Sequence, residues 1–356
     1  SDLYIGLMSG TSLDGIDGVL ADFSGPRMRV SHHASAPFAP ALRAELLALN
    51  TPGDNELHRA ALAGNALSRA YAEVVQTLLQ RSGLPASAIR ALGAHGQTVR
   101  HRPQEFDGTG YTLQLLSPAL LAERTGITVV ADLRSRDVAA GGQGAPLVPA
   151  FHQGVFGRPG ETVLVLNIGG ISNLSVLGAD GSVLGFDCGP GNALMDHWCQ
   201  LHTGQPFDRD GAWAATGQLL PGLLASLMQE HFLHKPPPKS TGRDLFNPPW
   251  LATHLERFGH ANPADVQATL TEFTATACSA CADSYKIDSK ILAVCGGGAL
   301  NTQLMRRLQA LCPALQVVAT DALGLPALQV EAAAFAWLSR QALHQAPGNL
   351  PSVTGA

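Results

Sequence analysis

The chain has 356 residues, 46% of them hydrophobic and 14% charged, with a formal net charge of −5. That length predicts two domains, because single cores seldom grow past ~250–300 residues. The acidic balance argues against nucleic acid as the main partner, which calls for a basic surface, and no apolar run reaches the ~18 residues that a membrane span needs. At the N-terminus no basic stretch precedes an apolar one with a cleavage site, so no secretory leader is expected. The six cysteines are scattered and mostly apolar-flanked, which fits a reducing cytoplasm. Cys278 and Cys281 form a CxxC, but inside a helical pattern and with no second pair, so no zinc site is expected.

The first element is a β-hairpin. Apolar runs at 4–8 and 18–23 flank a turn of small residues, Gly10-Thr11-Ser12-Leu13-Asp14-Gly15-Ile16-Asp17. Its glycines admit close approach of a ligand, and successive N–H groups in such a turn form an anion nest. A phosphate-binding hairpin and a bare polar turn both fit these residues. A Walker loop does not, since no lysine follows a glycine at the required spacing.

Residues 57–81 carry Leu67, Tyr71, Val74 and Leu78 at helical spacing. A strand from Ile89 to Ala94 then delivers His95-Gly96-Gln97-Thr98 at its end, where ligands sit in open α/β sheets. Ser117-Pro118 starts a short helix with a capping hydroxyl and an N1 proline. The strand Ile127–Ala131 follows and opens into Asp132-Leu133-Arg134-Ser135-Arg136-Asp137 and a glycine-rich stretch at 141–146. Two arginines beside glycines suggest an anion site; pairing with Asp132 or Asp137 is the alternative.

From Thr162 the opening pattern returns: an apolar run to Ile168, the turn Gly169-Gly170-Ile171-Ser172-Asn173, and a second apolar run to Leu177. Two such hairpins, one per domain, could grip a polyphosphate. Asp187 closes the next strand, where Gly189-Pro190-Gly191 is expected to end it and turn the carboxylate away from the core. The proline-rich segment 235–250, with Lys239, reads as a binding loop or a surface crossover. Asn262-Pro263 caps a long helix. The strand Ile291–Val294 ends in Gly296-Gly297-Gly298, but Asn301 breaks the GxGxxG fingerprint, so a nicotinamide-dinucleotide site is disfavoured. Glu331 begins an apolar helix running to Leu343.

Taken together, these motifs resemble the sugar kinase–Hsc70–actin superfamily and, within it, the anhydro-N-acetylmuramic acid kinases. The resemblance runs through MSGTSLDGID (8–17), HGQT (95–98), DLRSRDVAAGGQGAPLVPAFH (132–152), LNIGGISNLS (166–175) and FDCGPGN (186–192). It continues through PKSTGRDLFN (238–247), CGGGALN (295–301), EAAAFAWL (331–338) and GNLPSVTGA (348–356). It implies an α/β fold of two ribonuclease H-like domains, 1–128 and 129–339, with the tail from about 340 rejoining the first and ATP in the cleft between them. Gly10–Asp17 and the turn at Gly169 and Gly170 would hold phosphates, and Gly296, Gly297, Gly298 and Asn301 would lie by adenosine. The implied reaction takes ATP with Mg²⁺, water and 1,6-anhydro-N-acetylmuramic acid to N-acetylmuramic acid 6-phosphate, in peptidoglycan recycling.

In that scheme Asp187 is the general base, while His95, Arg134, Asn192 and Glu331 contact the sugar; no metal ligands follow from the sequence. A cytoplasmic homodimer is implied. Rival readings are a kinase for another anhydro sugar such as levoglucosan and a non-catalytic ATP or sugar sensor. Two departures stand out: Cys188 where relatives usually carry Thr, and Leu328 where an acidic residue is common.

Overall fold

A computed structural model describes residues 2–286 and 289–356. The chain forms two compact units, Ser1–Val155 with Leu328–Ala356, and Phe156–Ala327. The strands of the first are β1 (Leu3–Met8), β2 (Gly15–Asp22), β3 (Arg29–Pro37), β4 (Ala91–Ala94), β5 (Gln97–Pro103), β6 (Gly110–Leu115) and β7 (Val129–Val130). Those of the second are β8 (Thr162–Ile168), β9 (Ile171–Leu177), β10 (Val183–Pro190), β11 (Ser289–Cys295) and β12 (Gln316–Ala319).

The first unit has a five-stranded sheet in the order β3-β2-β1-β4-β7, and the second repeats it as β10-β9-β8-β11-β12. In each, the first three strands in sequence pair antiparallel and the last two join the sheet in parallel. A parallel pair needs a crossover. The helix Glu56–Ser82 supplies it in the first unit and Pro263–Asp283 in the second. This repeated order, with only the second strand reversed against the rest, is the ribonuclease H-like arrangement.

Strand alternation assigns the faces of the first sheet. Ile5 and Leu7 point to a core shared with Leu67, Tyr71, Val74 and Leu78 of the long helix. Tyr4 points the other way, toward Ala336. That second face is covered by the helix Val330–Leu343, whose buried residues include Ala332, Ala333, Ala334 and Ala336. Gly6 and Gly93 are partners in register on adjacent strands. A Cβ on Gly6 would fall 1.8 Å from the Ala332 carbonyl oxygen, and one on Gly93 would fall 1.9 Å from that of Phe335. Two glycines in the sheet and a run of alanines in the helix therefore let the two backbones touch.

This contact also revises the expected boundaries. β7 pairs with β4, and the helix Val330–Leu343 lies on β1, so 129–155 and the whole of 328–339 group with the first unit, not the second. The physical reason is that these segments carry the fifth strand and the covering helix of the first sheet. In the second unit β10 does not stop at Asp187. A bulge between Asp187 and Gly189 lets pairing continue to Pro190, opposite Ile171.

Candidate active site

In the first unit, the turn between β1 and β2 separates its residues by exposure. Leu13 and Ile16 are buried, their side chains part of the core. Leu13 takes a left-handed φ of 61°, donates its N–H to the Gly10 carbonyl at 3.2 Å and accepts from Arg43 Nε at 3.1 Å. Gly15 is pressed against β3, its Cβ position 2.3 Å from the Ala36 carbonyl. Asp17 pairs with His33 at 3.1 Å. Gly10, Thr11, Ser12 and Asp14 are thus the turn residues accessible to a ligand.

The turn is braced from below. Ser9 Oγ lies 2.8 Å from the Tyr71 hydroxyl, and both hydroxyls reach the Gly96 carbonyl. Burial raises the Tyr71 hydroxyl's pKa, which keeps it protonated. Gln97 Nε2 donates to the Gly10 carbonyl at 3.0 Å. Neither Gln97 nor Tyr71 was marked by the sequence as more than a motif letter or a core residue.

His95 and Arg134 meet. The guanidinium donates from Nε (3.1 Å) and Nη2 (3.0 Å) toward His95 Nε2, and from Nη1 to the Gly144 carbonyl at 2.8 Å. With Nε2 accepting, the imidazole proton sits on Nδ1, which donates to the Gly96 carbonyl at 2.7 Å. Burial first, then the Arg134 charge, lowers the His95 pKa to about 3, so the ring is neutral. His95 therefore braces Arg134, its ring nitrogens turned to the protein, while Arg134 stays half-exposed. Glu331 lies in the first turn of its helix. Arg340 farther along that helix reaches Asp2 at the start of β1 (2.8 Å), so the helix runs antiparallel to β1 with Glu331 toward the turn end.

In the second unit, glycines make the site. The N–H groups of Gly191, Asn192 and Ala193 donate to the carbonyls of Gly170, Gly169 and Gly170, and a Cβ on Gly191 would lie 2.2 Å from the Gly169 oxygen. Gly296, with φ 77°, would place a Cβ 2.6 Å from Asn167 Oδ1, and Gly298 packs on Ile168. Gly169, Gly170, Asn192, Gly296, Gly297 and Gly298 are thereby gathered at one end of the sheet. Asn192 Nδ2 is tied to the Ile168 carbonyl. Asn301 caps the helix Thr302–Leu311, accepting from the Leu304 N–H at 3.0 Å.

Asp187 is 5% exposed. Its backbone N–H donates to the Lys239 carbonyl at 3.1 Å, and its Oδ2 accepts from the Thr241 N–H at 2.8 Å. The segment Lys239–Thr241 is therefore the frame of the carboxylate. Lys239 itself is buried, its ammonium held by the Phe232 and Leu233 carbonyls and over the Phe232 ring. That removes it from the residues able to meet an anionic ligand. Cys188 is buried too, and its surroundings raise its pKa well above the usual thiol range.

The family model for anhydro-N-acetylmuramic acid kinase matches residues 2–356. The chain belongs to the anhydro-N-acetylmuramic acid kinase family. Curated relatives bearing that family's name include one from Variovorax paradoxus, 68% identical over 100% of this chain and 96% of the relative. Another, from Albidiferax ferrireducens, is 62% identical over 100% and 97%, and one from Cupriavidus pinatubonensis is 57% identical over 100% and 96%. A solved activator of 2-hydroxyisocaproyl-CoA dehydratase from Clostridium difficile aligns at 13% identity and TM-score 0.48, covering 98% of this chain and 99% of that one.

Proposed function

We propose that this protein is an ATP-dependent kinase that converts 1,6-anhydro-N-acetylmuramic acid and water into N-acetylmuramic acid 6-phosphate and ADP. The observation that carries the reading is family membership over residues 2–356, with relatives, one of them 68% identical, that bear this activity in their name. The setting of Asp187 supports it. The substrate has no free 6-hydroxyl, because O6 bridges to the anomeric carbon. A water must therefore add at C1 while O6 takes the γ-phosphoryl group.

Asp187 acts as the base for that water. Its carboxylate is oriented by the Thr241 N–H, and positioning of this kind contributes up to ~7–11 kcal/mol to such reactions. The water's proton goes to Asp187, its oxygen bonds to C1, and the C1–O6 bond breaks. O6 bonds to the γ-phosphorus of ATP as the bond from that phosphorus to the β,γ-bridging oxygen breaks and ADP leaves, so free alkoxide does not accumulate. Attack opposite O6 inverts C1, as expected when one carboxylate drives water directly.

We assign Gly10, Thr11, Ser12, Asp14, Gly169 and Gly170 to the nucleotide's phosphates and the Gly296–Gly298 turn to its adenosine. The Thr11 and Ser12 hydroxyls and the exposed Asp14 carboxylate would hold Mg²⁺, which usually takes only one or two protein carboxylates. When bound it would supply charge neutralisation at the transferring phosphoryl group. Arg134 is assigned to the substrate's lactyl carboxylate, with Asn192 and Glu331 also toward the sugar.

No helix among the described residues is long and apolar enough to cross a membrane. A cytoplasmic homodimer in peptidoglycan recycling completes the proposal, and sedimentation velocity tests the dimer. The deciding assay couples ADP release to the anhydro sugar in ¹⁸O-water. The expected product is a 6-phosphate with a reducing end carrying ¹⁸O at C1; an intact bridge or unlabelled C1 overturns the reading.

A further inference from the structure

The last motif of the sequence, Gly348–Ala356, has no role in the chemistry above, yet it ends on a buried charge. Asp137 is 9% exposed and lies 212 and 217 residues before Asn349 and Thr354, both of which reach it. Oδ1 accepts from Asn349 Nδ2 and, at 2.7 Å, from the Thr354 hydroxyl. Oδ2 accepts from the Gly144 N–H at 2.7 Å. The Thr354 carbonyl also receives the Gln143 N–H at 2.9 Å. The fit is close: a Cβ on Gly142 would fall 2.4 Å from Asp137 Oδ2. The pairing with a loop arginine that the sequence allowed for Asp137 is thus replaced by binding of the C-terminal segment and the glycine loop.

The other end of this network is Arg134. Gly144, whose N–H is fixed by Asp137, offers its carbonyl to Arg134 Nη1. His95 fixes the opposite edge of the guanidinium. Arg134 is held between two clamps, and one of them is built by residues at the far end of the chain. We propose that Asn349 and Thr354 are positioning residues for Arg134, acting through Asp137 and Gly144, so that the C-terminal segment sets affinity for the anionic group of the substrate. The proposal rests on the kinase reading for the identity of that anionic group.

Thr354 is fully buried, so Thr354→Val removes its hydroxyl at nearly constant shape, and Thr354→Ser restores it. Loss of one hydrogen bond to a charged group is expected to raise KM for 1,6-anhydro-N-acetylmuramic acid about 10-fold. The kcat, the KM for ATP and the KM for 1,6-anhydro-N-acetylglucosamine, which lacks the lactyl carboxylate, should change little. Thr354→Ser should return the acidic sugar's KM to near the parent value. In an Arg134→Gln background Thr354→Val should add no further rise.

Hydrogen exchange at Gly142–Gly144 gives a readout independent of turnover: Thr354→Val should speed it. Unchanged exchange overturns the clamp. Faster exchange with KM unchanged, or with both sugars weakened equally, overturns its role in substrate affinity. A parent enzyme inert toward both sugars, with exchange responding as expected, overturns the kinase reading and leaves the clamp standing.

Discussion

Thr241 and Asp187 are joined by a backbone N–H that reaches Oδ2 at 2.8 Å, across 54 residues of sequence. A loop amide thus aims the carboxylate proposed as base. Asp187→Asn keeps an acceptor for the Thr241 N–H and should fold normally, yet it cannot take the water's proton. Turnover is expected to fall by about 10²–10⁴-fold. Steady-state ADP release, with circular dichroism and nucleotide binding as controls, checks this; near-parental turnover would take Asp187 out of the role.

The pairing of Gly6 with Gly93 makes a second, purely structural forecast. At either position a methyl group would lie under 2 Å from a helix carbonyl, backbone that cannot rotate aside. Gly6→Ala or Gly93→Ala should therefore force the helix Val330–Leu343 off the sheet and cost about 3 kcal/mol or more. Thermal melts would register a large drop in midpoint or insoluble protein. Ala substitution at Gly83, where a Cβ meets nothing within 4 Å but φ is +68°, should cost only about 1 kcal/mol.

These contacts mark what the sequence could and could not disclose. Both hairpins, the long crossover helices and the doubling of the pattern are local, written in apolar runs and glycine turns, and they were legible. The owner of the helix Val330–Leu343 was not: an alanine-rich helix fits any sheet until the two facing glycines are known. His95 was legible as a strand-end residue, but its neutral, accepting state depends on burial first and then on Arg134, 39 residues away. The segment with Lys239 read as a binding loop or a surface crossover, because nothing nearby in sequence announces the two carbonyls and the aromatic ring that hold the ammonium. The tail's polar residues Asn349 and Thr354 find their partner in Asp137, 212 and 217 residues earlier, a distance no local pattern reports.

Arg307 grips Glu272 with two bonds, 2.6 and 2.9 Å long, linking the helices Pro263–Asp283 and Thr302–Leu311. Glu272 is mostly buried, whereas Arg307 is about a third exposed. Arg307→Met should leave a carboxylate stranded at a helix interface and destabilise the second unit by about 1–3 kcal/mol. The double variant Arg307→Met with Glu272→Met should recover much of the loss. Denaturant midpoints for the parent, the single and the double variant check this, and equal stability of the single and double variants would sink it.

Three histidines of the first unit, His95, His101 and His152, have pKa values lowered to about 3, with burial the largest cause in each and the Arg134 charge adding at the first two. An unfolded histidine takes a proton near pH 6.5, whereas these folded ones do not until near 3. Below pH 6.5 the unfolded state therefore binds more protons, and stability falls as pH falls. The contribution is complete above about 6.5 and is lost between there and 3, at about 1.4 kcal/mol per pH unit for each ring. Asp22, whose carboxyl is held low by the Ser24 hydrogen bonds, starts to lose stability only as pH drops below its ordinary 3.8. The interval from pH 6.5 to 5 accordingly isolates the histidines. Urea midpoints across it should fall steeply for the parent protein and less steeply for His101→Gln, which cannot gain a proton on unfolding. Parallel slopes for the two would mean that His101 is protonated in the folded chain.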